Sequence, residues 1–249
     1  TPDRASKGRE YARTLTVAPA DRIAVGRNAF LGWLDGLVLG ESARGGVFID
    51  RRFVHPGLEF AMTFPKGWTH ENSPSAVLAQ PQDQSALLAL QVAAEGDDPS
   101  VVANQLAAKV QLSGTKSTTI NGYPAVTSFA RATEQRQEID VALVWIAKDG
   151  LVYQILGATS AERWDSHRPE FEAAAKSFRQ PTTEELSEVH ENRLRLVRAE
   201  PGQTLAEIAK EPANRWSIAE TAAANAMEAP TKLSGGEAIK VSRQERYRK

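Results

Sequence analysis

The stretch from Gly46 to Trp68, GVFIDRRFVHPGLEFAMTFPKGW, sets the pattern for most of the chain. Leu58, Phe60, Met62 and Phe64 alternate with Glu59, Ala61 and Thr63. Successive side chains in a strand point to opposite faces, so the alternation predicts a strand over 58–64 with one buried face. Pro56-Gly57 predicts a turn before it and makes 47–54 an earlier strand. Pro65-Lys66-Gly67 stops it with another turn, and Trp68 adds a large apolar side chain. Further strands are expected at 76–80 and 86–93. Asp98-Pro99-Ser100 opens a helix that carries Val102, Leu106 and Val110. Asn121-Gly122 turns the chain into a strand over 123–130. Segments 139–147 and 151–158 form a hairpin across Lys148-Asp149-Gly150. Trp164, His167, Phe171, Ala174 and Phe178 then share one stripe of a helix over 161–178. This order predicts an α+β fold, an antiparallel sheet with covering helices.

The flanks read differently. Residues 1–24 are polar and charged, with Thr1 as N-cap and Pro2 at the first helical position of an expected helix. NAFLGWLDGLVL, 28–39, predicts a short amphipathic helix. Its glycines, Gly32, Gly36 and Gly40, stand four apart, but the run is too short for a bilayer and contains Asp35. Residues 181–193 are polar and acidic, the expected linker. Thr182 and Glu185 have capping-box spacing there, so a short helix is expected. Glu184, Glu185, Glu188 and Glu191 read as a solvated helix face rather than an acid–base pair. Segment 194–242 has the order strand, helix, helix, strand, and 243–249 reads as a solvated basic tail. The expected division is a helical linker over 1–45, a sheet domain over 46–180, the linker, the small β-α-α-β module, and the tail.

Composition narrows the partners more than the chemistry. The chain has 249 residues, 41% hydrophobic and 24% charged, ordinary values for a folded globular protein. A net charge of −1 gives no electrostatic case for nucleic acid or an anionic membrane. No apolar run reaches membrane-span length, and the absence of cysteine excludes disulfides and thiolate metal sites. The four histidines, His55, His70, His167 and His190, never fall within one helical turn of each other, so no HExxH zinc motif exists. His190-Glu191 is half of one, with Leu194 in the second histidine position. No Gly-x-Ser-x-Gly elbow supports a hydrolase serine. Leu233-Ser234-Gly235-Gly236-Glu237 has the look of an ATPase signature loop. Gly114-Thr115-Lys116-Ser117, however, lacks the glycine and Gly-Lys adjacency of a P-loop, so both read as turns. Trp68, Trp145, Trp164 and Phe178 are expected in the core; Trp216 reads as packing between helices, with a sugar platform as the alternative.

Three resemblances add to this reading. RRFVHPGLEFAMTFPKGW…NSPSAVLA resembles the region after the catalytic domain in bacterial BepA-like zinc metallopeptidases of family M-forty-eight. LDGLVLGESARGGVF is similar to that family's linker. The resemblance implies a periplasmic location with any signal upstream of Thr1. It also implies zinc in an upstream peptidase domain and none in this chain, which would be a non-catalytic accessory region positioning substrate or docking on the envelope. Its partners would be that peptidase domain, with peptidoglycan or envelope proteins in addition. The rhythm of 46–180 is similar to PsbP-like domains. Over Leu194 to Val241 the chain resembles a LysM module, with Gly202, Gln203, Thr204, Leu205, Ile208, Ala209, Asn225, Leu233, Gly236 and Ile239 at matching positions. That likeness implies glycan binding by Gly202, Gln203, Thr204, Leu205, Asn225 and Met227, and offers the alternative of a stand-alone peptidoglycan-binding protein. Two departures stand out: a longer segment between the helices, and Ala226 where glycine is usual, a residue that tolerates positive φ poorly.

Overall fold

The computed structural model describes residues 29–40, 42–134 and 136–248. The helix expected over 1–24 lies outside the described residues. The chain divides into two compact units, one holding the residues up to Gly40 with Glu191–Glu245, the other Glu41–His190 with Arg246–Lys249.

The larger unit is α+β. Its seven-stranded antiparallel sheet has the order β5-β6-β7-β11-β10-β9-β8. The strands are β5 (Thr69–Asn72), β6 (Val77–Gln80), β7 (Ala86–Glu95), β8 (Leu112–Ile120), β9 (Tyr123–Glu134), β10 (Gln137–Lys148) and β11 (Leu151–Ser160). A second sheet is the meander β2 (Val47–Ile49), β3 (Arg52–His55) and β4 (Phe60–Thr63). Helix α1 (Pro99–Ala107) packs on β9 and β10, burying Ala103 with Trp145 and Leu143. Asp98 caps it by accepting from Ser100 N–H at 2.9 Å. Helix α2 (Trp164–Lys176) packs on β11 and β10 through Phe171, Ala174 and Ala175. Phe171 rests on Gly157, where a Cβ would stand 2.3 Å from its ring, so only glycine admits this helix. Phe53, Phe60, Met62 and Phe64 of the meander share that core with Tyr153 and Phe178.

Four expectations for this unit are corrected. The single strand over 47–54 is a hairpin: Ile49 pairs with Arg52, and Asp50 turns the chain at φ +54°. Strands β5 and β8 were not foreseen, because both are sheet edges with almost no buried residue and hence no apolar alternation. The expected linker over 181–193 is structured. Its helix α3 (Thr183–Glu188) carries the expected capping box, and a strand starts at His190. The acidic face is not wholly solvated. Glu185 is 5% exposed and accepts Arg179 Nη2 at 2.6 Å, with Arg52 Nε at 3.1 Å. Arg179 foremost holds its carboxyl down at about 2. Glu191 is buried as well, paired with Arg193.

The smaller unit has a sheet in the order β1-β12-β13, from β1 (Val38–Leu39), β12 (His190–Arg198) and β13 (Ala238–Arg246). Helices α4 (Leu205–Ala209) and α5 (Ile218–Asn225) close a core of Leu205, Ile208, Leu233, Ile239 and Val241. The strand-helix-helix-strand order therefore stands as expected. The helix expected over 28–39 does not: residues 29–34 are helical, then Gly36 takes φ +88°. Its N–H donates to Leu194 O at 2.8 Å, and Val38 and Leu39 pair with Arg193 and Asn192. Asp35 accepts from Leu196 N–H at 3.0 Å and pairs with Arg195, so the end of the expected linker is an edge strand of this unit. Nor are the described residues of the basic tail, 243–248, loose. Strand β13 runs through Arg246, and Tyr247 packs with Ala43, Val54 and Val189 in the larger unit.

Candidate functional site

The six residues expected to hold glycan lie around the start of α4 and the end of α5 in the smaller unit, and most of their polar groups are committed to the fold. Gly202, at φ +81°, donates its N–H to Leu233 O at 2.8 Å, and Leu233 donates back to Gln203 O at 2.9 Å. The Gln203 amide oxygen accepts from Glu200 N–H at 3.0 Å. Thr204 caps α4 in a reciprocal capping box with Glu207. Leu205 is fully buried, and its N–H donates to Thr231 O at 3.1 Å. Asn225 is buried at 6% exposure; its Nδ2 donates to Thr221 O and Lys240 O at 2.9 Å each, while its Oδ1 accepts from Lys240 N–H at 2.8 Å. It ties α5 to β13. Met227 packs against the core. Ala226 does take the left-handed conformation that glycine would occupy, φ +53° and ψ +43°. Trp216 is half-buried, its carbonyl accepting from Asn214.

The larger unit holds a different kind of feature. A groove of about 990 Å³ runs beside the meander and the end of β7. Phe53, Leu58, Phe60, Val77, Leu90 and Tyr153 form its apolar lining, and Val92, 45% exposed, forms a wall. Its size is that of a ligand site, and its surface is mostly apolar. One loop is held in place by sequence-specific contacts: Asn72 Nδ2 donates to Gly45 O at 3.2 Å and Gly46 O at 3.0 Å. Gly46, at φ +92°, has the Phe53 ring where a Cβ would be, 2.2 Å away.

The polar groups of the groove are Arg44, His55, Tyr153, Asn72, Gln91 and the serines Ser42, Ser73 and Ser75. His55 Nδ1 accepts from Leu58 N–H at 3.0 Å, so the neutral ring carries its proton on Nε2. Burial lowers the pKa of this histidine, against a smaller opposing backbone hydrogen bond, which keeps it neutral at pH 7. Phe53 and Phe60 flank the ring at centroid distances of 6.2 and 5.4 Å. The guanidinium of Arg44 is exposed at the rim, and no carboxylate lines the groove. Burial, with the Asp149 charge and Tyr123 behind it, pushes the Tyr153 phenol up to about 12, so it stays protonated.

Backbone groups complete the site. Strand β6 pairs with β7 only from Leu88 to Leu90. From Gln91 to Glu95, β7 keeps β11 on one side and has no strand on the other among the described residues. A bulge falls in this stretch, where Tyr153 pairs with Val92 and Val152 with Ala94. Bulges of this kind terminate or redirect pairing at sheet edges. An unpaired edge next to an apolar groove offers main-chain hydrogen bonds and side-chain pockets together. No sequence motif marks this arrangement, since its parts run from Arg44 to Tyr153. The signals that were present, the Pro56-Gly57 turn and the aromatic alternation after it, read only as core.

The described residues bring no three His, Asp or Glu side chains into a metal-holding cluster, and no described helix is long and apolar enough to cross a membrane. No family model matches the chain, and no curated protein is significantly similar to it. Among solved structures, a Bacteroides thetaiotaomicron protein is similar at 12% identity and TM-score 0.43, covering 59% of this chain and 53% of its own. The solution structure of cyanobacterial PsbP from Synechocystis is similar at 17% identity and TM-score 0.39, over 57% of this chain and 99% of that one. LpqN of Mycobacterium tuberculosis, described as involved in cell envelope biogenesis, is similar at 18% identity and TM-score 0.36, over 49% and 83%. These likenesses are too distant to speak for family or function.

Proposed function

We propose that the chain is an accessory, substrate-positioning region of an envelope zinc metallopeptidase, and that its larger unit engages extended polypeptide. The observation that carries this reading is the groove beside the unpaired Gln91–Glu95 edge of β7. An extended peptide satisfies such an edge by adding as a strand, and its alternate apolar side chains enter the groove. The lining favours a neutral or acidic segment, because it holds the charged Arg44 and no carboxylate. Zinc and the catalytic step belong, on this reading, to a peptidase domain preceding the chain. Phe30 at 57% and Trp33 at 86% exposure, near the start of the described residues, fit a surface that such a domain covers. The LysM likeness supports a second reading, weak glycan binding by the smaller unit. The internal commitment of Thr204 and Asn225 favours the first.

Titration of a fluorescent, unstructured apolar peptide with the full chain tests the proposal. Saturable binding that weakens at least tenfold in Val92→Asp, with an unchanged melting temperature, supports it. Binding that is absent, or equal in the two proteins, removes the groove from the account.

A further inference from the structure

On the side of the larger unit's core where α2 begins, a second cleft of about 610 Å³ is lined by Asp83, Ser85, Arg163, Ser166 and His167. Ser85 ends the turn between β6 and β7. There Gln84 takes φ +53°, its N–H donates to Pro81 O at 2.9 Å, and Ser85 N–H donates to Asp83 Oδ1 at 3.1 Å. His167 and Glu170 stand three apart on α2, hence on one face. Ser85 Oγ lies 3.1 Å from His167 Nε2, and His167 Nδ1 lies 2.9 Å from Glu170 Oε2.

The chemistry of these three groups fixes the protons. An ionised carboxylate only accepts, so Nδ1 of the neutral ring carries its proton toward Glu170. Nε2 is left as the acceptor, and the Ser85 hydroxyl donates to it. That is a nucleophile hydrogen-bonded to a base whose other nitrogen is oriented by a carboxylate, the connectivity of a serine triad. The imidazole is held in place: its side chain is 13% exposed, Trp68 meets it edge-on at 5.8 Å and Phe171 stacks on it at 6.2 Å. Arg163 brings positive charge to the same cleft, with Nη1 on Asp83 Oδ2 at 2.8 Å. Asp83 also faces the serine and competes for its hydroxyl.

We infer that Ser85, His167 and Glu170 form an acyl-transfer site that takes small activated acyl esters, independent of zinc and of the peptide groove. Ser85 Oγ bonds to the ester carbonyl carbon as its proton passes to His167 Nε2. The ester C–O bond breaks as that proton moves to the leaving alcohol. Water then repeats the sequence on the acyl-serine, releasing the carboxylic acid and restoring the hydroxyl. Glu170 is a positioning residue, which holds the ring's orientation.

Treatment of the full chain with a fluorophosphonate probe, followed by peptide mass mapping, tests this. The expected result is label on Ser85, none in Ser85→Ala, and at least tenfold slower labelling in His167→Gln. In Glu170→Gln, whose target is partly exposed, labelling persists but slows at least threefold, and Glu170→Asp recovers part of the rate. Variants are compared only where they melt with the wild type; Glu170→Gln supplies the readout if His167→Gln does not. Three results overturn the inference. The chain stays unlabelled while a control serine hydrolase in the same tube reacts, the label maps to another residue, or neither His167→Gln nor Glu170→Gln slows the labelling.

Discussion

The two units spend their polar groups differently. On the Gly202–Leu205 and Asn225–Met227 loops of the smaller unit, nearly every named donor and acceptor closes a turn, caps a helix or ties a helix to a strand. In the groove of the larger unit, the Arg44 guanidinium, the Nε2 of His55 and the outer edge of β7 beyond Leu90 have no partner among the described residues. The residues that make a module look like its relatives are often the ones its fold consumes. A ligand meets the groups that are left over. Substitutions in the smaller unit's loops should therefore move stability, and substitutions along the groove should move binding.

The largest expected effect marks where those two roles meet. Phe60 is 3% exposed, lies 5.1 Å from the rings of Tyr153 and Phe178, and also floors the groove. Phe60→Ala should cost about 3–5 kcal/mol in a urea melt. A loss below about 1 kcal/mol would mean that the groove floor is not part of the core.

Next comes the acid limb. With its folded pKa near 2 against an ordinary 4.5, Glu185 contributes stability that is fully present above 4.5 and lost as pH falls through 2. A shift of that size corresponds to roughly 3 kcal/mol. Glu185→Gln should therefore be less stable than wild type at pH 7, and the gap should close by about pH 2, followed by chemical denaturation. A constant gap would show that the Arg179 and Arg52 contacts are not charge-dependent.

Smaller effects separate the loops of the small unit. Asn225→Ala strands the Lys240 N–H and carbonyl and should cost about 1–3 kcal/mol, while retention on insoluble peptidoglycan stays at the wild-type level. Lost retention with unchanged stability would return the residue to a glycan role. Ala226→Gly should stabilise by about 1 kcal/mol, since a left-handed alanine is strained by somewhat more than glycine loses in chain entropy. The check is the midpoint of a thermal melt.

Much of the fold was legible in the sequence, for physical reasons. Asp149-Gly150 demanded a tight turn, and Lys148 pairs with Leu151 across it. Thr182, with a glutamate three residues on, capped a helix as its spacing required. What stayed hidden lacked a local signal. Asp50 turns the β2–β3 hairpin without a glycine, and LSGTKSTTI pairs as an edge strand with no buried face to alternate. The burial of Glu185 depends on Arg52, far away in sequence. The groove and the Ser85–His167 contact are likewise made by tertiary structure, the latter bridging 82 positions. Resemblance pointed to loops whose consensus residues hold the module together, a distinction that sequence spacing does not draw.

Amide hydrogen exchange of the full chain, with and without a saturating apolar peptide, tests the central claim most directly. Exchange reports protection segment by segment and so locates the ligand within the chain. The account predicts slowing within Gln91–Glu95 and around Leu58, with 202–205 and 225–229 unchanged. Protection confined to those two loops of the smaller unit, with β7 unaffected, would contradict it.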